Sequence, residues 1–258
     1  MGSRKLLLGI AGGIVALAAI GVFAIWFFVF RGDEPAEVSL ESALNSLNTP
    51  TAGAASPAAT TSAAPTTAAA PTSSGSGSSS AGLAGTWVPD TTKTNFLGYR
   101  VVEELARVGS ATAVGRTSAV TGQIVLTDTQ VTSATVTADL TKLASDNNQR
   151  DGQLRNQAIE TGKFPTATFV LSGPLALPAG LASGQAVDVA LNGKLTLHGV
   201  TKDISVPAQA QFKDGALVVV GSIDIKFSDY SINKPQGASV LSIEDHGIME
   251  LQLILKKN

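Results

Sequence analysis

Residues capable of acid–base or metal chemistry are scarce in this chain. It contains two histidines, His198 and His246, and no cysteine. The lack of cysteine excludes disulfides, thiolate zinc sites and a cysteine nucleophile. Two histidines alone are a poor ligand set for a transition metal, so the sequence predicts no metal site and no cofactor. It also lacks the GxSxG, HExxH, Walker A and dinucleotide-binding motifs, so we expect no catalytic residues and a protein that is not an enzyme.

His198 lies in the stretch KLTLHGVTKDISVP, which reads as two alternating runs around a turn. The apolar residues before it have odd numbers, so the even-numbered His198 is predicted to point outward. The turn is predicted to run from Gly199 to Lys202, with the next strand starting near Asp203. A neutral imidazole there would hydrogen-bond the turn backbone and hold the hairpin. We favour this structural role over a role in ligand binding.

Arginines are the candidate contacts for an anionic head group, because the guanidinium pairs well with phosphate and carboxylate. Arg150 and Arg155 lie in the polar segment Ser145–Pro165, which is predicted to be a loop and a short helix covering one mouth of a barrel. In the alternative, Arg150 and Asp151 fix the loop through hydrogen bonds to the backbone, and for Asp151 we favour this account.

A third arginine, Arg100, is also a candidate head-group contact. Arg100 and Arg116 both flank apolar positions. They either approach a ligand or pair with Glu103 or Glu104 inside the fold, and the sequence does not decide between these alternatives.

Residues 85–258 carry the elements that must position these side chains. Apolar and polar residues alternate in many short runs separated by Gly, Asp and Pro, which is typical of antiparallel strands with one solvated face. The pattern predicts an all-β sandwich or barrel. A barrel of about eight strands has room for one ligand, although apolar strand residues more often fill a core. The inward residues that would line a cavity are Phe169, Leu171, Val189, Leu191, Leu195, Ile204, Val206, Phe212, Val219, Ile223, Ile225 and Phe227.

The segment Leu6–Phe30 contains no charged residue and is long enough to span a bilayer. Arg4 and Lys5 precede it, so residues 1–5 are predicted to be cytoplasmic and everything after Phe30 extracytoplasmic. We predict a single-pass signal anchor in the cell membrane. The alternative is a cleaved signal peptide, which the length of the apolar run and the lack of a cleavage site disfavour.

Residues 31–84 are rich in Ala, Thr, Pro, Ser and Gly and are predicted to form a disordered linker that holds the barrel away from the membrane. Within them, Val38–Asn48 predicts a marginal short helix, over about residues 39–47, capped by Ser39. Glycosylation of the linker is a further hypothesis.

Three motifs together resemble the YceI-like domain. They are GTWVPD at Gly85–Asp90, RDGQLRNQAIETGKFPTATF at Arg150–Phe169 and GKLTLHGVTKDISVP at Gly193–Pro207. The resemblance implies an antiparallel lipocalin-like β-barrel with a short helical insertion, of the membrane-anchored actinobacterial type. It also implies a polyisoprenoid or another long-chain lipid in a central cavity.

This chain departs from the family pattern in three places. Lys93 and Thr94 stand where many members have a His-Ser pair, and Gln153 stands where many have His. The aromatic pair that follows is replaced by Ala158 and Ile159. These changes bear on the chemistry of the head-group contact and leave the barrel prediction unaffected.

The sequence therefore predicts an extracytoplasmic, membrane-anchored protein that sequesters a long-chain lipid, polyisoprenoid or fatty-acid-like. The alternatives are a lipid-free scaffold or interaction domain and, less favoured, an enzyme acting on an isoprenoid. A net charge of −2 indicates no nucleic-acid partner. The sequence leaves a homodimer open.

Overall fold

A computed structural model describes residues 35–47, 82–106, 109–235 and 240–258. These residues form two short α-helices, α1 (Leu40–Ser46) and α2 (Asn148–Gln153), and thirteen strands. The strands are β1 (Gly85–Pro89), β2 (Phe96–Leu105), β3 (Gly109–Thr117), β4 (Val120–Leu126), β5 (Gln130–Asp139), β6 (Ala144–Ser145), β7 (Thr166–Leu171), β8 (Leu175–Ala176), β9 (Val187–Leu197), β10 (Val200–Lys213), β11 (Ala216–Lys226), β12 (Val240–Ile243) and β13 (His246–Lys257). Single turns of other helix types occur at Leu140–Lys142, Leu154–Ala158, Leu181–Ser183 and Phe227–Tyr230.

The strands close into an eight-stranded antiparallel barrel. Two positions in this barrel are each filled by two consecutive strands, β1 with β2 and β3 with β4. β13 pairs with β2 along its first half and with β1 near its end. β3 pairs with β2, and β4 pairs with β1, so β3 and β4 together form the next strand of the barrel. The order then continues through β5, β7, β9, β10 and β11 back to β13. The predicted all-β barrel with a short helical insertion is confirmed.

Asn95 fills the break between β1 and β2. Its side-chain oxygen accepts a hydrogen bond from the Ile254 backbone N–H at 2.7 Å. Its amide nitrogen donates to the carbonyl oxygen of Asp90, also at 2.7 Å. A buried backbone N–H without a partner would be costly. The side chain of Asn95 therefore supplies the hydrogen bond that β13 loses where its neighbouring strand is interrupted.

Two tight hairpins join the three long strands β9, β10 and β11. The turn residues are His198–Gly199 and Asp214–Gly215, and all four have φ between 50° and 78°. Positive φ at both central residues is what a two-residue type I′ turn requires. The first turn is shorter than predicted, because β10 already starts at Val200 and pairs directly with Leu197.

The interior follows the predicted parity. The odd-numbered apolar residues of β11 and β13, such as Leu217, Leu253 and Leu255, are buried inside the barrel together with Trp87. A second cluster around Leu195, Leu197 and Ile225 fills the other end. Since side chains alternate between the two faces of a strand, the opposite set should face solvent.

Part of that opposite set is buried under α1. Ser39 caps the helix, and its hydroxyl accepts the N–H of Ser42. Leu40, Ala43 and Leu47 pack on the outer wall of the barrel. There they contact three even-numbered residues of β11 and β13, namely Val218, Val220 and Ile254. Helix α1 lies where the sequence predicts a marginal short helix with Ser39 as its cap. The linker prediction did not include its packing on the barrel, where an apolar stripe on the outer wall stabilises this short helix.

Among the residues that the structure describes, no helix is long and apolar enough to cross a bilayer. The predicted anchor Leu6–Phe30 lies outside the described residues, as does most of the predicted linker.

Candidate functional site: two apolar chambers inside the barrel

The barrel interior holds two chambers of about 110 Å³ each. Leu97, Ala167 and Met249 line both of them, so the chambers meet at these three residues. Chamber 1 lies toward the His198 turn, and chamber 2 lies toward the turn between β10 and β11. The lining of both is almost wholly apolar, which suits a hydrocarbon chain better than a polar ligand.

Most of the predicted lining residues do line a chamber. Chamber 2 is bordered by Phe169, Leu171, Val189, Leu191, Leu195, Val206 and Val219. Chamber 1 is bordered by Ile225 and Phe227. The remaining three predicted residues pack elsewhere in the core. Phe212 makes an edge-to-face contact with Trp87 at a centroid distance of 6.0 Å, and Ile204 and Ile223 pack against the cluster around Leu195.

A large part of the chamber wall was not predicted from the sequence. Leu97, Tyr99 and Val101 of β2 border chamber 1, as do Leu140 and Leu143. In β2 the alternation is hidden, because Gly98, Arg100, Val102 and Glu104 mix small, charged and apolar types on the other face. The strong period-two signal of β9–β11 had no counterpart there.

The insertion covers chamber 1, as predicted. Asn147 caps α2 by accepting the N–H groups of Gln149 and Arg150. The chain then passes through a π-helical turn, and Leu154, Ala158 and Ile159 border the chamber. The buried carboxylate of Asp151 accepts the Ser145 N–H at 3.0 Å and the Ser145 hydroxyl at 2.7 Å. Asp151 therefore fixes the insertion to β6, in agreement with the structural account of this residue.

A small polar cluster borders chamber 1. Arg150 Nε lies 3.5 Å from Glu103 Oε1, and its Nη1 donates to Asp146 at 2.5 Å. Burial lowers the pKa of Arg150, but Glu103 and Asp146 outweigh that effect and raise the pKa overall. Arg150 is thus a permanent cation beside an apolar cavity. Its charge is largely balanced by the two carboxylates.

Tyr99 belongs to the same cluster. Its buried hydroxyl lies near the side chain of Ser145 but is not in good hydrogen-bonding geometry with any described residue. Its ring packs over Gly115, where a Cβ would come within 2.4 Å of the ring. Burial raises the pKa of Tyr99 far above its usual value, with the positive charge of Arg150 acting in the opposite direction. The hydroxyl therefore stays protonated and is available as a donor or an acceptor in chamber 1.

Of the other two predicted head-group contacts, neither borders a chamber. Arg100 points to the outer face of β2, where its Nε lies 2.5 Å from Glu250 Oε1. Arg116 Nη2 lies 3.2 Å from the other oxygen of Glu250. The expected partners of these arginines, Glu103 and Glu104, are on the same strand as Arg100 and do not pair with them. Arg155 donates to the Leu143 carbonyl oxygen at 3.4 Å and fixes the insertion.

His198 is buried rather than outward-pointing, which corrects the prediction from parity. As a turn residue with φ of 50°, it no longer follows the strand alternation. Its Nδ1 donates to the Tyr230 carbonyl oxygen at 3.0 Å, and its Nε2 lies 3.2 Å from Glu160 Oε2. Its ring meets that of Phe164 at a centroid distance of 4.4 Å. His198 thus connects the hairpin to two neighbouring loops and does not border either chamber.

Residues 87–254 match the family model of the YceI-like domain. The chain belongs to the YceI-like family. Among curated proteins, it is 32% identical over 123 residues to UPF0312 proteins of Shewanella sp. (strain W3-18-1) and of Shewanella putrefaciens (strain CN-32). These matches cover 46% of this chain and 55% of each relative, so the chain spans about half the length of the curated relatives it matches.

Solved structures share the fold of this YceI-like domain. A polyisoprenoid binding domain from Saccharophagus degradans, implicated in plant cell wall breakdown, superposes with a TM-score of 0.54 at 22% identity. That similarity covers 67% of this chain and 98% of the other domain. BcnA of Burkholderia cenocepacia is also similar, with a TM-score of 0.48 at 20% identity, covering 62% of this chain and 95% of BcnA.

Proposed function

We propose that this YceI-like protein binds a long-chain lipid, polyisoprenoid or fatty-acid-like, inside its barrel and sequesters it at the outer face of the cell membrane. The observation that carries this proposal is the pair of apolar chambers that meet at Leu97, Ala167 and Met249. A branched or straight hydrocarbon chain is the ligand that gains most from such a path, because each buried methylene contributes about 0.8 kcal/mol. The polyisoprenoid-binding description of the Saccharophagus degradans domain supports the same ligand class.

The polar cluster of Tyr99, Glu103 and Arg150 makes the two ends of the cavity chemically different. It lies only in chamber 1, and chamber 2 has no comparable group among the residues that border it. An unpartnered buried hydroxyl costs free energy until a ligand supplies a hydrogen bond. We therefore place the polar head of the lipid in chamber 1 and its tail in chamber 2. The arrangement supports binding over catalysis, since the cluster holds a cation, the carboxylate that balances it and a neutral phenol.

Native mass spectrometry with lipid extraction tests the proposal. Residues 32–258 would be purified from the native host without detergent, since detergent would compete for the cavity. We expect a co-purifying lipid with one long chain, and loss of its head-group selectivity in Tyr99→Phe. A protein that carries no lipid, and that takes up none from vesicles, would instead support the lipid-free scaffold.

A further inference from the structure

Residues 35–47, which we name the strap, are attached to the barrel at both ends. At its start, Arg100 donates to the Pro35 carbonyl oxygen, and Arg116 Nη2 donates to that of Ala36 at 2.8 Å. The Val38 N–H donates to Glu250 Oε1 at 3.3 Å. These contacts bury Glu250, of which 2% is exposed, on what is otherwise the outer wall of the barrel.

At its other end, the strap is held by Lys93, which donates to the Leu47 carbonyl oxygen. Between the two ends, the fully buried Ala43 packs on Val218, Val220 and Ile254. Polar contacts at both ends and apolar contact in the middle make the strap part of the barrel wall. Leu47 and Gly82 both contact the barrel, so the distance between the barrel and whatever precedes residue 35 does not depend on residues 48–81.

The direction of the strap determines which end of the barrel faces the preceding segment. It starts beside Arg100 and ends beside Lys93, so its start lies toward the Leu105 end of β2. Only four residues separate Pro35 from Phe30, the last residue of the predicted span. Even a fully extended chain covers at most about 18 Å over that interval. If the strap were undocked, some 50 residues would separate Phe30 from the first strand of the barrel, with a root-mean-square end-to-end distance of about 40 Å.

The Leu105 end of β2 also carries exposed apolar side chains. Leu241 is 67% exposed, and Val102 and Ile248 are also exposed. Ile248 pairs with Arg100, and Leu241 lies at the irregularity where β12 pairs with residues 104 and 105, so the three residues lie along the second half of β2. Chamber 1 reaches the same end, where it is bordered by Val101, Ile243 and Ile248. Exposed apolar residues at the end of the barrel that holds an apolar cavity suit contact with a bilayer.

We propose that the strap holds the barrel on the outer surface of the bilayer, with the chamber 1 end against the lipid. Leu241 and Ile248 enter the interfacial region, and a lipid passes between bilayer and cavity without crossing bulk water. The transfer of lipid rests on the function proposed above. The short distance between barrel and bilayer rests on the predicted span Leu6–Phe30. The partner proposed for the exposed apolar residues is the bilayer surface.

The natural absence of cysteine allows a direct test with single-cysteine labels. Leu241→Cys places an environment-sensitive fluorophore at the proposed contact. Thr129→Cys, in the exposed turn between β4 and β5 at the far end of the barrel, is the matched control. The full chain would be reconstituted in phosphatidylcholine vesicles containing a lipid spin-labelled near the head group. We expect several-fold stronger quenching at position 241 than at position 129.

A second pair of variants tests the role of the strap. Ala43→Asp puts a carboxylate into the apolar contact with the wall, whereas Asn45→Asp adds the same charge on the exposed side of α1. In the Leu241→Cys background, we expect Ala43→Asp to reduce quenching to the level of position 129 and Asn45→Asp to leave it unchanged.

Equal quenching at positions 241 and 129 would overturn the proposed orientation, and quenching that survives Ala43→Asp would overturn the role of the strap. A full chain that does not float with the vesicles would overturn the membrane premise. None of these results depends on whether lipid occupies the cavity, which lipid extraction measures separately.

Discussion

Ala167 is the residue to change if the two chambers form one lipid path, because it borders both and is buried. Ala167→Leu adds three carbon atoms where the chambers meet. A lipid whose tail passes this point must give up room for about three methylenes, which is about 2.4 kcal/mol at 0.8 kcal/mol each. That loss corresponds to a roughly 50-fold weaker Kd. A lipid short enough to stay in chamber 1 should lose nothing.

The assay is calorimetric or fluorescence-displacement titration with a series of lipids that share a head group and differ in chain length. In the natural protein, we expect Kd to fall about fourfold per added methylene until the tail reaches the end of chamber 2. In Ala167→Leu the fall should stop at a shorter chain. Ala182→Leu, at an exposed position in the turn Leu181–Ser183, should follow the natural protein.

Stability of the lipid-free protein gives an independent check on the same variant. Adding carbon atoms to a filled core costs about 1–3 kcal/mol, whereas adding them to an empty apolar space buries new surface without strain. We therefore expect Ala167→Leu to leave the urea midpoint unchanged or to raise it. An equal loss of affinity for short and long lipids, together with a lower midpoint, would show that the chambers do not form a continuous path.

Three further predictions concern groups outside the apolar path. Glu250→Gln removes the counter-charge of the buried Arg100 and of the partly buried Arg116, and it should lower the free energy of unfolding by about 3 kcal/mol, measured by urea titration; a loss below 1 kcal/mol would contradict it. Burial raises the pKa of both tyrosines, Tyr99 and Tyr230, so their contribution to stability is complete below about pH 10 and is lost as the pH rises through their folded-state pKa values. Spectrophotometric titration should then show little tyrosinate at pH values where the urea-unfolded chain is half ionised, and coincident curves would refute the burial argument. His198→Ala loses the hydrogen bond to Tyr230 and places alanine at positive φ, which should cost about 2 kcal/mol with unchanged lipid affinity; unchanged stability with lost lipid binding would instead assign His198 to the ligand site.

The strands that alternate most regularly were the most predictable part of the fold. In β9 and β10, residues such as Val189 and Val206 face inward as their parity predicts, because each of these two strands has one apolar and one solvated face. Val219 of β11 also faces inward. The Asp214–Gly215 turn fits the same regularity, since Asp-Gly is a strong signal for a two-residue hairpin. Local pattern and tertiary environment agree in this half of the barrel.

The helix of the strap was predicted from its own residues, but its docking on the barrel could not be. A seven-residue helix is marginal in isolation, and a linker-like composition follows it directly. The signal lay instead in β11 and β13, where Val218, Val220 and Ile254 are apolar on the face that the alternation assigns to solvent. A strand that is apolar on both faces implies a cover on the outside. Which segment supplies that cover depends on tertiary packing.

The arginines were misplaced for a related reason. Arg100 and Arg150 are both candidate head-group contacts in the sequence, Arg100 beside apolar strand residues and Arg150 in the polar insertion. Their outcomes differ because Arg100 belongs to the even-numbered face of β2, which the strap covers, whereas Arg150 comes from the insertion over chamber 1. The partner of Arg100, Glu250, is 150 residues away in sequence. No local pattern connects these two residues.

The buried ion cluster around Glu250 also fixes the register of β2 and β13, on which the apolar lining of the cavity depends. In β2 and β13, Tyr99 and Met249 face the chambers, while their neighbours Arg100 and Glu250 face the strap. A shift of one residue in either strand would exchange the two sets and place a charge in the cavity. Glu250 accepts from Arg100, from Arg116 and from the Val38 N–H, and these contacts exist only in the native register. The cluster that fixes the strap outside the barrel therefore also fixes the strand pairing that makes the inside apolar.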